Sequence, residues 1–503
     1  MSQPGALNKG ILIVTTGFFV QQAVGLIASV IVARMLGASE FGTISVLRNF
    51  ITILLTLTPL GLDLALLKHA AYYDDRRYEF WQQVTRLRLV TALLNVAIVI
   101  VALGWIDSWL GTHVYKFRDF SALADITFLG LPFAADLALM SALYRADNRP
   151  SSFALMTNFV QPFVRLGGAV TLLQLGLSTE GVVLANTAAY AVSSVMVTAH
   201  SIRMMRASAS TAEVSRAASW AATLVVLKDS IWMAMSLFVG GAVRSVDTLA
   251  VGIFTLPKEV GAYGALSAMA QLVQAYPFAA SQTLGPTISR HYRDGNLTAM
   301  RQSLSGYLTA ASIVGGFAFG GTAGFGDHLD LLFGHSFRFR SDIAFALPLG
   351  WLISATLGPM GYSLSMTGRH RAELAILAAG LSVLVVACGL LTPRWGQLGA
   401  ASAVVLAFTL INSLRFLYLL RIFGFLPGSL SDFVPPLIAY GLAMLVKTSV
   451  DALLGRCIFS FVFACCAYSV LDVLIVLRFF LKASQIDALR QRIRTALSVV
   501  FRH

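Results

Sequence analysis

The sequence predicts an all-α integral membrane protein with two repeated six-helix lobes followed by an extra helix pair. Hydrophobic residues make up 57% of the 503 residues and charged residues only 12%, which is about half the charged fraction of an average soluble domain. Apolar segments long enough to cross a bilayer recur along the whole chain. A charged corner between two such segments also recurs in the second half of the sequence.

A transmembrane helix needs about 20 mainly apolar residues to cross the hydrocarbon core, and fourteen segments meet that requirement. The apolar run that follows the N-terminal stretch is too long for a signal peptide, so we interpret it as the first membrane helix. The predicted spans are residues 11–35, 42–67, 89–110, 122–143, 153–175 and 181–202, then 230–254, 259–284, 302–326, 341–366, 372–391 and 396–420, and finally 433–450 and 457–481.

The distribution of Lys and Arg orients these spans. With the N-terminus inside, the cytoplasmic segments hold 24 of the 37 basic residues and the segments on the other side hold 9. This bias is what the positive-inside rule predicts for an even number of spans with both termini cytoplasmic. The other four basic residues lie within or at the edge of spans, and they are Arg48, Arg165, Lys228 and Arg244.

An internal repeat divides the spans into lobes. The turn Val32–Val46 and the turn Val251–Leu266 share a Glu-apolar-Gly corner at an offset of 219 residues. Six predicted spans separate the two corners, so the halves have the same membrane orientation, as in a parallel repeat. We therefore expect an N-lobe over residues 1–206, a C-lobe over 207–421, an extra helix pair over 422–482 and a basic amphipathic cytoplasmic tail over 483–503.

The composition argues against several function classes. The net charge of +13 comes from short basic clusters between apolar runs, not from a basic stripe with interleaved aromatics, so no nucleic-acid partner is expected. The four cysteines lack metal-ligand spacing, and no metal is expected. No GxxxxGK[ST] motif for ATP hydrolysis occurs in the chain. Two six-span bundles without an extramembrane domain indicate a secondary transporter rather than an enzyme.

Three stretches resemble the polysaccharide-exporting (Wzx-type) flippases of the MATE-like MOP superfamily. Gly17–Gly42 is similar to the first helix and corner of these proteins, Val246–Leu266 to their seventh-to-eighth helix corner, and Leu329–Phe337 to a short loop between the ninth and tenth helices. The resemblance implies a twelve-helix, two-lobed core, with two extra helices in some members.

The resemblance also implies a cargo and a mechanism. Members move undecaprenyl-pyrophosphate-linked oligosaccharide across the bacterial inner membrane by alternating access, alongside glycosyltransferases and a polysaccharide polymerase. The related lipid II flippases carry a charged pair early in helix one, where this chain has Gln21 and Gln22. This difference favours the exopolysaccharide and O-antigen branch.

Charged residues within spans are the first candidates for the transport path, because a charge near the bilayer midplane is costly and normally faces a cavity or a partner. Arg48, Arg165 and Arg244 would give a cationic interior, and guanidinium groups can bind a pyrophosphate bidentately. Each also has a structural alternative. Arg244 could pair with Asp247 at i,i+3, Arg165 could pair with a carboxylate on span four, and Arg48 could extend to the interface.

Polar and acidic residues extend this candidate list. Glutamine can hydrogen-bond sugar hydroxyls without adding charge, although it also serves in interhelical hydrogen bonds. Carboxylates can load a proton or Na⁺ during a transport cycle, and Asp247 is the leading candidate because it lies deepest. The glutamines are Gln21, Gln22, Gln271 and Gln274, and the carboxylates are Asp125, Asp136, Asp229 and Asp247.

Two rival functions remain open at this point. A cation-coupled multidrug exporter of the same superfamily should favour acidic and aromatic cavity walls, unlike an interior with three arginines. A membrane-embedded polysaccharide ligase or polymerase would need catalytic side chains on an external loop. The segment Asp327–Asp342, with His328, His335, Arg338 and Arg340, is the best location for them.

Overall fold

The protein is helical throughout the part of the chain that the structure, a computed structural model, describes. These residues are 4–62, 77–103, 114, 115, 117, 119–146, 150–209, 220–425, 428 and 430–480, and they contain no strand. Helices α1 to α10 are Pro4–Leu36, Ala38–Leu57, Arg77–Val101, Phe120–Leu129, Leu131–Ala146, Pro150–Ala154, Gln161–Gln174, Thr179–Ala209, Trp220–Val243 and Val246–Phe254. Helices α11 to α20 are Pro257–Ala270, Ala275–Arg293, Leu297–Gly324, Leu329–Phe333, Ser341–Leu357, Pro359–Met366, His370–Trp395, Gln397–Phe423, Val434–Leu454 and Ile458–Ile475.

The all-α membrane fold is confirmed, and within the described residues each of the fourteen predicted spans overlaps helical structure. Within the described residues, 11 helices are long and apolar enough to cross a membrane, or up to 12 if the bent pair α9–α10 is one span. The remaining two predicted spans are interrupted, one by a π-turn at Leu155–Val160 and the other by a 3₁₀ turn at Gln271–Gln274. The count of fourteen and the orientation of the termini stay predictions, and the predicted tail lies outside the described residues.

The chain forms two compact units. The first comprises Met1–Met269, Phe333–Arg338 and Gly368–Arg415. The second comprises Ala270–Leu332, Phe339–Thr367 and Phe416–His503. The two repeated corners therefore lie in the first unit, and the predicted extra helix pair, α19 and α20, lies in the second. The lobe boundaries predicted at residues 206 and 421 stay predictions.

The seventh predicted span is bent rather than straight. Helices α9 and α10 meet at an angle of 47°, at a turn formed by Arg244 and Ser245. The backbone N–H groups of both residues donate to carbonyls three residues earlier, so the α-helical pattern of i→i−4 bonds is lost there. Gly240 and Gly241 lie three to four residues before Arg244, and glycines weaken the helix that leads into the turn.

The two repeated corners pack directly against each other within the first unit. A Cβ built on Gly42 of α2 would overlap the carbonyl oxygen of Pro257, and a Cβ built on Gly261 of α11 would overlap the carbonyl oxygen of Ala38. Gly264 faces Ser45 in the same way. The residues at this contact form three pairs that share the offset of 219 residues, namely 38 with 257, 42 with 261 and 45 with 264. This shared offset supports the predicted repeat.

Equivalent side chains tie each corner to a later helix of the first unit. Thr179, at the start of α8, donates to Glu40 Oε2 at 2.9 Å. Gln397, at the start of α18, donates to the backbone oxygen of Glu259 at 2.9 Å. The backbone N–H of Ala38 also donates to Ser336 Oγ at 3.2 Å, which supplies an acceptor that Gly37, as N-cap residue, lacks.

Two of the arginines counted among the cytoplasmic basic residues lie inside helices and pair with carboxylates. Arg88 of α3 makes a bidentate salt bridge with Asp136 of α5, at 2.7 and 2.9 Å. Arg415 of α18 forms a buried salt bridge with Glu373 of α17. Pairing with a carboxylate and its hydrogen bonds offsets the cost of burying each charge, and the side of the membrane on which these arginines lie stays a prediction.

In the second unit, α19 packs closely against α13. A Cβ built on Gly316 would lie 2.9 Å from Cα of Pro436, and one on Gly320 would lie 2.7 Å from the carbonyl carbon of Ala439. Small residues on one face let two helix backbones approach closely. At one end of α19, Thr309 of α13 also donates to Asp432 Oδ1 at 2.9 Å. The predicted extra helices are therefore an integral part of the second unit.

Replacing Gly320 by alanine is expected to destabilise the protein by about 1–3 kcal/mol, because the new methyl group would overpack the contact with α19. Gly306 lies on the same helix, and a Cβ added there would have nothing within 4 Å, so alanine at this position should be neutral or stabilising by up to ~1 kcal/mol. Thermal unfolding of both purified variants measures the difference. Equal unfolding temperatures would contradict close packing at Gly320.

Candidate functional site

Arg48 of α2 and Arg165 of α7 lie close together in the first unit. Their guanidinium charges repel each other, and both charges interact electrostatically with the hydroxyl of Tyr190 on α8. Both arginines are partly buried, and neither forms a salt bridge with a described carboxylate. A pair of buried like charges is destabilising unless an anion neutralises it, so this position is suited to a negatively charged ligand.

Helix α1 supplies the surface beside this arginine pair. A Cβ on Gly25 would lie 3.4 Å from Nη2 of Arg165, so the guanidinium group lies over a glycine. Gln21 is four residues before Gly25 and therefore on the same helix face. Gln21 and its neighbour Gln22 are both partly buried. The structure thus places at least one predicted glutamine on the face of α1 that Arg165 of α7 approaches.

Arg244 is placed differently from the other two arginines. It lies at the bend between α9 and α10, and its side chain is exposed. Asp247, three residues later, is only 1% exposed and accepts a hydrogen bond from Tyr263 of α11 at 2.8 Å. The described partner of Asp247 is therefore a neutral hydroxyl, and the bend separates a buried acid from an exposed base.

Asp247 lies among buried oxygen atoms with unused hydrogen-bonding capacity. Its Oδ1 makes no hydrogen bond of normal geometry to a described residue, while the polar groups of the adjacent Thr248 lie within reach of the carboxylate. On α17, Cys388 lies within electrostatic range of Asp247, and the buried hydroxyl of Thr392, one turn further along, interacts with the Cys388 thiol. An unpartnered carboxylate oxygen at this depth is chemically suited to bind a proton or a small cation.

The other predicted carboxylates differ in their surroundings. Asp136 already binds Arg88 and accepts a further hydrogen bond from Ser194 at 2.7 Å, so it is not the partner of Arg165 and its charge is matched. Asp125 of α4 is partly buried, with one oxygen that makes no hydrogen bond to a described residue. The side chain of Asp229 lies outside the described residues.

The remaining glutamines belong to the second unit. Gln271 and Gln274 form the ends of the 3₁₀ turn between α11 and α12, and both are partly buried. Gln274 donates to the backbone oxygen of Trp351 at 3.2 Å. For Gln274 the structure therefore shows an interhelical hydrogen bond, which is the structural alternative that the sequence leaves open.

Two tyrosines join these positions although the sequence does not single them out. Tyr190 lies beside the arginine pair, and no periodicity or motif marks it. Tyr263 binds Asp247, and it lies within the Val246–Leu266 stretch that resembles the flippase corner. Among the described residues, no group of three His, Cys, Asp or Glu side chains could hold a metal ion.

The helices of the described residues define a multi-pass helical membrane protein. A model of the family described as "Polysaccharide biosynthesis protein" matches residues 7–291. This match covers more than half of the chain, and the protein belongs to that family. Nothing matches among curated proteins.

Solved structures support the fold over nearly the whole chain. The lipid II flippase MurJ in an inward closed conformation aligns with a TM-score of 0.66 at 14% identity, covering 93% of this chain and 100% of that one. An inward-facing multidrug resistance MATE transporter aligns with a TM-score of 0.63 at 12% identity, covering 82% of this chain and 98% of that one. A Pyrococcus furiosus transporter, whose binding pocket of reverse polarity is described as suggesting a different function, aligns at 0.56 with 12% identity, covering 83% and 96%.

Proposed function

We propose that this protein is a flippase that moves undecaprenyl-pyrophosphate-linked oligosaccharide across the bacterial inner membrane by alternating access. The observation that carries this proposal is the pairing of Arg48 and Arg165 without a described carboxylate partner. A pyrophosphate group would be the counter-ion for the two neighbouring guanidinium groups, and the planar donors of arginine fit phosphate oxygens bidentately. Membership of a polysaccharide biosynthesis family supports the same class of cargo.

The groups around the arginine pair suit the rest of this cargo. Tyr190 offers a hydroxyl beside both guanidinium groups, and Gln21 offers an amide on the adjacent face of α1. Neutral donors and acceptors of this kind can bind sugar hydroxyls without competing for the phosphate charge. We assign Arg48 and Arg165 to the pyrophosphate, and Gln21, Gln22 and Tyr190 to the adjoining polar groups of the cargo.

Two separate observations argue against the two rival functions. An organic cation would be repelled by the adjacent arginines, so a drug exporter would not gain from this pair. For an enzyme, the sequence offers His328 as a catalytic side chain. Both of its ring nitrogens contact carboxylates, Asp327 at 3.2 Å and Asp451 at 2.9 Å, and the residue is 4% exposed. His328 is thus engaged in the structure and poorly accessible to a substrate.

We further propose that Asp247 couples transport to a gradient of H⁺ or Na⁺. Its buried position, the neutral hydrogen bond from Tyr263 and its unpartnered oxygen among the described residues support this role. A cation bound there neutralises the carboxylate and removes the cost of burying its charge. The bend at Arg244 and Ser245 lies two residues from Asp247. Binding of the cation to Asp247 can therefore favour one arrangement of α9 and α10.

A depletion experiment tests the proposed function in a bacterium whose surface polysaccharide requires this chain. We expect lipid-linked repeat units to accumulate on the inner leaflet and surface polysaccharide to fall, because glycosyltransferases continue while the polymerase on the other side lacks substrate. Isotopic labelling of the lipid-linked pool with leaflet-selective enzymatic digestion measures this accumulation. Normal delivery of repeat units to the outer leaflet in depleted cells would overturn the proposal.

Replacing Asp247 by asparagine is expected to abolish the acceleration of transport by an ion gradient. Asparagine can still accept the hydrogen bond from Tyr263 but cannot load a cation by neutralising its own charge. Coupling between two ligand sites typically amounts to about 1–3 kcal/mol, so the loss should be roughly tenfold. Transport into proteoliposomes, with and without imposed Na⁺ and pH gradients, measures it. Asp294→Asn, an exposed position, is the control, and an unchanged gradient response in Asp247→Asn would rule out this role.

A further inference from the structure

A cluster of six charged or titratable side chains joins two segments of the second unit. One segment is the 3₁₀ turn Gly326–His328 together with the start of α14, and the other is the C-terminal end of α19 together with the turn that leads to α20. None of these side chains belongs to the candidate site in the first unit. Asp327, His328 and Asp330 come from the first segment, and the second supplies Lys447 and Asp451 of α19 and Arg456 of the following turn.

His328 lies at the centre of this cluster with both ring nitrogens engaged. Its Nδ1 is 3.2 Å from Asp327 Oδ1, and its Nε2 is 2.9 Å from Asp451 Oδ2. A neutral imidazole has one N–H donor and one acceptor nitrogen, so it can satisfy only one of two carboxylates. The doubly protonated ring donates to both, and this geometry therefore favours imidazolium.

The surrounding charges complete the cluster. Lys447 donates to both oxygens of Asp327, at 2.8 and 3.0 Å. Arg456 donates to the backbone oxygen of Asp327 at 2.6 Å and to Asp330 Oδ1 at 2.8 Å. With His328 protonated, three cations match three carboxylates among these described groups. Loss of the His328 proton would leave an excess negative charge beside a residue that is 4% exposed.

We propose that His328 is a proton-dependent clamp that fastens the C-terminal end of α19 to the junction of α13 and α14. When the ring is protonated, it bridges Asp327 of the junction and Asp451 of α19. When the proton leaves, one of the two contacts becomes repulsive and the two segments separate more readily. The close packing of α19 on α13 lies further along these helices and does not depend on this proton.

The direction of the pH dependence follows from the contacts of His328. Its hydrogen bond with Asp327 raises the pKa of His328 above the ordinary value of 6.5, although burial opposes this change. The clamp therefore stabilises the folded state fully below about pH 6.5, and its contribution is lost as the pH rises through the raised pKa. The pKa of Asp327 is lowered by the same hydrogen bond and by Lys447, so Asp327 stays ionised above about pH 5.

Hydrogen exchange of the purified full-length protein between about pH 5.5 and 9 tests the clamp. The reporters are two backbone amides. The amide of Gly455 donates to the backbone carbonyl of Asp451, and the amide of His328 donates to the backbone carbonyl of Phe325. After correction for the intrinsic pH dependence of exchange, we expect local opening to increase roughly tenfold from the lowest to the highest pH. In His328→Gln, opening should be independent of pH across this range.

Two further variants make the outcome decisive. His335→Gln alters an exposed histidine that follows α14 and should behave like the parent chain. Asp451→Asn removes the negative charge facing Nε2 and should reduce the pH dependence while His328 remains. The proposal is overturned if the parent chain shows no pH dependence at these amides, or if His328→Gln retains it in full.

Discussion

Replacing Arg165 or Arg48 by alanine is expected to slow transport roughly 10- to 100-fold while leaving the protein at least as stable as the parent chain. Hydrogen bonds to charged groups contribute about 1.5–3 kcal/mol, and each ~1.36 kcal/mol lost from transition-state stabilisation is about tenfold in rate. Stability should not fall, because each substitution removes one member of a repelling pair. Gains in stability on removing functional groups are a known consequence of strained sites.

The combination of the two measurements distinguishes a transport role from a structural one. If either arginine served in a fixed salt bridge, its removal would lower the unfolding temperature by leaving a buried carboxylate unpaired. Arg394→Ala, at an exposed position on α17, is the control and should change neither quantity. Lysine at either position should give an intermediate rate, because it keeps the charge but not the planar donors. Parental transport rates in both alanine variants would contradict the proposed pyrophosphate contact.

Replacing Gly261 by alanine is expected to destabilise the protein by at least about 3 kcal/mol and to abolish transport, because the added methyl group would overlap the backbone of the opposite corner. The group in its way is the carbonyl of Ala38, which cannot rotate aside as a flexible side chain would. Gly42→Ala should behave in the same way, because its methyl group would meet the carbonyl of Pro257. Thermal unfolding and folded yield from purified membranes measure the loss.

The controls for this prediction are glycines with open surroundings. A Cβ added to Gly167 on α7 or to Gly240 on α9 would have nothing within 4 Å, so alanine there should be neutral or mildly stabilising. If Gly42→Ala and Gly261→Ala unfold at the same temperatures as these controls, the close contact between the two corners is wrong.

The repeated corners show how far sequence patterns reach. Glu40 and Gly42 match Glu259 and Gly261 at a fixed offset, which is enough to predict a parallel repeat. The contact between the two corners cannot be predicted, because the pattern of one helix does not reveal which distant backbone it approaches. Only the structure shows that small residues at the same offset face one another.

Buried ion pairs are a feature of the fold that the sequence pattern does not reveal. The charge of Arg88 or Arg415 alone does not indicate a partner. Each is matched by a carboxylate that is distant in sequence, Asp136 and Glu373 respectively, and such partners leave no local signal. The same limit applies to Tyr190, whose role depends entirely on what lies across the helix interface.

The bend at Arg244 and Ser245 is also absent from the sequence pattern. Hydropathy alone favours one straight span over residues 230–254, because the segment is apolar on both sides of the charged pair. The bend changes the surroundings of the two charges, since Asp247 is buried beside Tyr263 while Arg244 is exposed. The i,i+3 spacing of a continuous helix therefore does not describe their relationship.

The central claim, that paired arginines carry a pyrophosphate-linked cargo, is tested most directly with proteoliposomes that contain a labelled undecaprenyl-pyrophosphate oligosaccharide. The measurement is the rate at which label becomes accessible to a reagent added outside the vesicles. We predict that the parent protein raises this rate well above that of empty liposomes, and that the Arg48→Ala, Arg165→Ala double variant, reconstituted to the same density, returns it to the empty-liposome rate. An equal rate for the parent and the double variant would contradict the claim.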